Sequence, residues 1–115
     1  MDLIPRFREL LKGNVPTLVL SVLAAGPLHG YGIAREIGRL SESAIQLKEG
    51  TLYPVLHAME SEGLLDSDWV GEAEGRRSRV YRLTTEGLAE LERRKAQWTM
   101  FSSAMDRVIE GGRGA

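Results

Sequence analysis

Between Lys48 and Thr84 the spacing of apolar residues switches from a helical period to a strand period, and that switch leaves few folds open. Residues 50–62 put Leu52, Val55, Leu56 and Met59 on one stripe, as a helix lying on a core requires. Gly63 followed by Leu64 has the form of a left-handed helix end, the next apolar side chain folding back on the helix. Residues 65–70 and 80–83 then read as two short strands. In the second, Tyr81 and Leu83 share one face and Val80 and Arg82 the other. A glutamate-rich loop from Gly71 to Gly75 joins them, and the second strand is led in by Arg76, Arg77 and Arg79.

Three helices precede this unit. Residues 2–12 carry Leu3, Ile4, Phe7, Leu10 and Leu11 on one side, and Gly13 ends the run. Asn14-Val15-Pro16 starts a second helix to about residue 25, apolar nearly all round and therefore placed at the centre of the domain. Gly26-Pro27 stops it, Leu28-His29-Gly30 reads as a loop, and a third helix turns Tyr31, Ile33, Ile37 and Leu40 inward. The connection 41–48 holds two apolar anchors, Ile45 and Leu47. After the hairpin, Thr84 or Thr85 caps a long helix to about Glu110. Helices, then a helix followed by a basic hairpin, make a mainly α chain with a winged helix-turn-helix. It has three to four helices and a two-stranded wing over residues 1–83, and a C-terminal helix and tail over 84–115.

Composition removes whole classes of function. The chain has no cysteine, which excludes disulfides and thiolate metal sites and fits a reducing cytoplasm. The longest apolar run, Leu18 to Ala25, is far short of the roughly 20 residues of a membrane span. His29 and His57 lack companions at metal-ligand spacing, no nucleophile elbow or phosphate-cradling glycine loop occurs, and neither a metal, a cofactor nor an enzymatic activity is expected. The net charge is −1, so any affinity for nucleic acid has to come from local placement: acids gather at 60–74 and 86–92, arginines at 76–82.

Two constellations carry chemistry. A helix headed by small polar and aromatic groups and followed by a basic hairpin can enter a major groove while gripping its phosphates. Gly50, Thr51, Tyr53 and Pro54 head that helix, Lys48 precedes it, and His57 lies one turn beyond Tyr53. Tyr31 opens the preceding helix, which in such motifs crosses the DNA backbone, and is equally readable as a core aromatic. Arg76, Arg77 and Arg79 are the wing's phosphate contacts, against the alternative of a solvated charged face. The second constellation lies on the last helix. Leu91, Trp98 and Met105 recur every seven residues, with Leu88, Phe101 and Val108 on the adjoining line, a stripe that one helix cannot bury alone.

The order of the motifs also resembles the PadR family of bacterial transcriptional regulators. The residues that carry the resemblance are Gly26-Pro27, His29-Gly30-Tyr31-Gly32-Ile33, Glu49-Gly50-Thr51-Leu52-Tyr53-Pro54-Val55-Leu56, Glu62-Gly63-Leu64-Leu65 and Arg79-Val80-Tyr81-Arg82-Leu83-Thr84, followed by Glu86-Gly87. Together they span most of 15–87, and in this order they are highly specific. The resemblance implies a dimeric repressor joined through its C-terminal helix, in the short subgroup with one such helix, often released from DNA by a small molecule. Multidrug-sensing relatives stack flat ligands on a tryptophan of that helix, which makes Trp98 a candidate ligand contact. At the wing tip the family's proline is replaced by Ser78.

The resulting expectation is a homodimeric regulator binding a pseudo-palindromic stretch of double-stranded DNA, with a small aromatic molecule as possible effector. The alternative is a winged-helix module that binds other proteins without reading DNA.

Overall fold

A computed structural model describes residues 4–71 and 78–112, with side chains from Arg8 onward. The elements run α1 (Ile4–Leu11), α2 (Val15–Leu23), β1 (Leu28–His29), α3 (Gly30–Leu40), α4 (Glu49–Ser61), β2 (Leu65–Val70), β3 (Ser78–Leu83) and α5 (Thr85–Gly111). As its uniformly apolar sequence demands, α2 is the central helix, packing against α3, α4, α5 and β3. Val19 and Leu20 of α2 meet Ile33, Leu52, Leu56, Leu65, Tyr81 and Leu91 in one core. Ile45 and Leu47, the anchors of the α3–α4 connection, pack on its edge.

The sheet is antiparallel and three-stranded, in the order β1-β3-β2. The hairpin expected from the alternating pattern is present, its register running from Leu65 opposite Leu83 to Val70 opposite Ser78. The stretch Leu28–His29, read from sequence as loop, instead pairs with Tyr81 and Val80 as a third strand. Two residues have no period to read, so only the tertiary pairing reveals it.

Helix α3 turns fewer residues inward than its sequence suggests. Ile33 and Ile37 are buried, whereas Tyr31 is 63% and Leu40 60% exposed. The buried line runs through Gly30, Ile33 and Ile37, and Tyr31, one residue on from Gly30, is turned about a hundred degrees away from it.

The end of α4 is built as the sequence foretold. Gly63 has φ +81°, its N–H donates to the Glu60 carbonyl, and the Leu64 N–H donates to the Met59 carbonyl at 2.9 Å, the paired bonds of a Schellman turn. Thr84 then joins this turn to α5. Its hydroxyl donates to the Gly63 carbonyl at 2.6 Å and accepts from the Gly87 N–H at 2.9 Å, so one side chain caps α5 and holds the end of α4. A β-carbon at Gly87 would lie 2.1 Å from the Leu64 carbonyl oxygen, an approach only glycine allows.

Helix α5 has 27 residues, about 40 Å at helical rise, in a molecule whose longest extent is 67 Å. Its root is part of the core: Gly87 and Leu91 are buried. Leu91, expected on a stripe awaiting a second chain, is 3% exposed against its own domain and is not free to serve that stripe. The other members are exposed, Leu88, Trp98, Phe101, Met105 and Val108 all between 45% and 74%.

Candidate nucleic-acid interface

Helix α4 divides cleanly into two faces. Leu52, Leu56 and Met59 are buried in the core, and Gly50, Thr51, Pro54 and His57 line the opposite, exposed side. The helix begins at Glu49, with Lys48 as an extended residue at its cap whose carbonyl accepts the N–H groups of Thr51 and Leu52, both at 3.0 Å. Pro54 therefore lies in the second turn, not the first. It has no N–H to offer the Gly50 carbonyl, so an exposed acceptor is left on the outward face.

Tyr53 does not sit where the sequence places it. The spacing predicts an exposed tyrosine at the helix head, but its ring is half-buried and packs at the edge of the core. The reason is Gly30: a β-carbon there would lie 2.7 Å from the Tyr53 hydroxyl oxygen and 2.8 Å from Cε1, so the ring fills the space of the missing side chain. Tyr53 thus fixes the first turns of α3 and α4 to each other. Tyr31 is exposed on α3, and the Arg35 guanidinium lies 5.6 Å from its ring centre, a cation–π arrangement. Of the two open readings for Tyr31, the core aromatic is removed.

One of the three wing arginines falls among the described residues. Arg76 and Arg77 lie outside the described residues. Arg79 is described, and it is occupied internally. Its Nε donates to Ser67 Oγ at 2.7 Å, the Ser67 hydroxyl donates to Glu60 Oε2 at 2.6 Å, and Arg79 Nη2 lies 3.5 Å from the same carboxylate oxygen. The guanidinium also lies 5.2 Å from the Trp69 ring centre. Alternation along β3 explains this: Arg79 shares the face of Tyr81, which looks toward the core and the end of α4. On the other face Arg82 pairs with Asp68 and Asp66. Sequence reading misses Glu60 and Ser67 because their link crosses the Gly63 turn; the available signal is an acid at the end of a helix seven residues before an inward strand serine.

A groove of about 850 Å³ runs between α1, α2 and α5, with Leu10, Thr17, Leu18, Trp98 and Phe101 among its walls. Trp98 and Phe101 have ring centres 6.2 Å apart. Nearby, Glu90 accepts hydrogen bonds from Arg93 and Arg94, which hold its carboxyl below the usual carboxylate range, and Arg94 donates on to Thr17 of α2 at 3.2 Å. Among the described residues no group of histidines and acids could hold a metal ion, and no helix is long and apolar enough to cross a membrane.

Known proteins share this geometry. Residues 19–93 match the Transcriptional regulator PadR-like family. The chain is 39% identical to the transcriptional regulator Rv3488 of Mycobacterium tuberculosis over 84 residues, 73% of this chain and 75% of that one. A solved PadR family transcriptional regulator from Eggerthella lenta superposes with a TM-score of 0.80 at 32% identity, covering 94% of this chain and 92% of that chain. A transcriptional regulator from Clostridium thermocellum superposes at 0.81 with 27% identity over 88% and 98%. Order of elements, core and sequence agree, and the chain belongs to the PadR-like family of transcriptional regulators.

Proposed function

We propose that this regulator works in the cytoplasm as a homodimeric repressor that binds a pseudo-palindromic operator and is released by a flat aromatic ligand. Residues 1–83 read DNA and residues 84–115 assemble the dimer. The observation that carries the reading is the outward face of α4. Thr51, Pro54 and His57, headed by Lys48 and Gly50, form an exposed polar surface on a helix whose other side is held by the core. Such a helix is presented rigidly to a major groove. In this reading Tyr31 and Arg35 of α3 contact the phosphates that flank the groove, and Arg76 and Arg77 add further phosphate contacts. Leu88, Trp98, Phe101, Met105 and Val108 form the dimer surface, with Trp98 at the edge of the groove available to a ligand.

A second reading, a winged-helix module that docks on proteins, has one observation in its favour. Arg79 and Arg82 are neutralised by Glu60, Asp66 and Asp68, which weakens the wing as a phosphate grip. Gel-shift titration of the full chain with the DNA upstream of its own gene, at several salt concentrations, separates the two. Saturable binding that competes poorly with unrelated duplex and weakens with salt supports the regulator; no preference over unrelated duplex rejects it.

A further inference from the structure

The positive side chains among the described residues divide into those paired with a carboxylate and those that are not. Among the described residues Arg39, Arg79, Arg82, Arg93, Arg94 and Lys95 each lie within ion-pair distance of a carboxylate. Five others, Arg8, Lys12, Arg35, Lys48 and Arg107, pair with no carboxylate among the described residues; Arg35 lies against the Tyr31 ring, and Arg8, Lys12 and Lys48 line one cleft, about 690 Å³, between the end of α1, the start of α2 and the head of α4. Thr51 of α4 is on its wall, and Glu9 is the one carboxylate among its lining residues. Arg8 and Lys12 are four residues apart, on the last turn of α1 and just beyond it, a spacing at which like charges repel. In a chain of net charge −1, three unneutralised cations gathered at one place mark a surface that meets negative charge.

We propose that the cleft formed by Arg8, Lys12 and Lys48 is a seat for a phosphodiester of the DNA backbone, beside the groove that α4 enters. Lys48 alone is legible in the sequence as a phosphate contact; Arg8 and Lys12 bring α1 into the interface. The inference rests on the DNA-binding function proposed for α4. Thr51 connects the two, because it borders the cleft and also lies on the outward face of α4. A cationic pocket next to a helix head grips the strand that passes it and sets the depth at which the helix sits, and it carries no base preference.

The test is fluorescence anisotropy of the full chain and its Arg8→Ala/Lys12→Ala variant, with operator and with unrelated duplex, across a salt series. Thermal melts and sedimentation establish that the variant keeps fold and assembly. The expected result is about tenfold or more weaker binding to both duplexes alike, with the log–log salt slope reduced by about 0.9 for each phosphate that is no longer neutralised. An Arg8→Lys/Lys12→Arg variant is expected to keep the slope, since charge and not shape does the work. An unchanged slope in the alanine variant overturns the phosphate seat and leaves DNA binding by α4 standing. Failure of the unaltered chain to bind any duplex overturns both. Inorganic phosphate added at matched ionic strength separates a third outcome: a DNA seat requires it to weaken DNA binding by the unaltered chain more than by the alanine variant, whereas phosphate that raises the melting temperature of the unaltered chain alone and leaves its DNA binding unchanged assigns the cleft to a soluble anion and overturns the duplex assignment.

Discussion

Tyr53 and Arg79, on α4 and β3, are each engaged by other residues of the chain. With its ring in the space over Gly30, Tyr53→Ala should cost about 1–3 kcal/mol, less than a fully buried aromatic because the side chain is only partly buried. Tyr53→Phe keeps the ring, so its melting temperature should stay close to that of the unaltered chain; a fall in operator affinity in that variant alone would give the hydroxyl a role on DNA. Arg79→Ala should leave the salt slope of DNA binding unchanged, where a true phosphate contact would lower it by about 0.9. It should instead destabilise by about 1 kcal/mol, leaving Ser67 and Glu60 without their cation, and shift the emission of the neighbouring Trp69. These two residues also mark a limit of sequence reading. Spacing shows a tyrosine at a helix head and an arginine in a wing, and both read as facing solvent; the glycine under one and the carboxylate behind the other come from distant segments.

At the scale of elements, α4 carries a local conflict and α5 a local anchor. Pro54 inside α4 forgoes a backbone bond, and Pro54→Ala should raise stability by an amount approaching the roughly 3 kcal/mol typical of an interior proline. The same change restores the donor to the Gly50 carbonyl, and operator affinity should fall as stability rises; gel shift and thermal melt on one variant measure both. For α5, the Glu90 carboxyl is ionised to unusually low pH by Arg93 and Arg94. Its folded value is depressed, so its stabilisation is complete above the ordinary value of about 4.5 and is lost as pH falls through the lower folded value. Melts across that interval should show a pH-dependence that Glu90→Gln lacks. Elements of strong period, such as α2, α4 and the β2–β3 hairpin, are legible in the sequence with ends correct to within a few residues. The strand β1 is not, since its existence depends wholly on β3.

For the whole molecule the decisive surface is the exposed length of α5. Trp98 is 54% exposed in the single chain, so in the proposed dimer burying the remainder in two symmetry-related copies would be worth on the order of 2–3 kcal/mol in total. Trp98→Ala should weaken the dimer by about thirtyfold to a hundredfold in sedimentation; an undiminished dimer would place the indole off the interface. Flat aromatic compounds that use the groove should quench its emission, read in a Trp69→Phe background. The heptad spacing makes this surface visible without any coordinates, but not that Leu91 is consumed by the chain's own core. Finally, the joint at Gly63, Thr84 and Gly87 has a metrical consequence. Two hydroxyl bonds and a carbonyl approach that only glycine permits clamp the end of α4 to the root of α5, which leaves no hinge between them. In a two-fold assembly the joint would therefore act as a ruler: the span between reading helices is written into the crossing angle of the two α5 helices. A ligand wedged near Trp98 would alter that span by tilting rigid halves, so that a duplex with one extra or one missing base pair between half-sites becomes the natural probe of the liganded state.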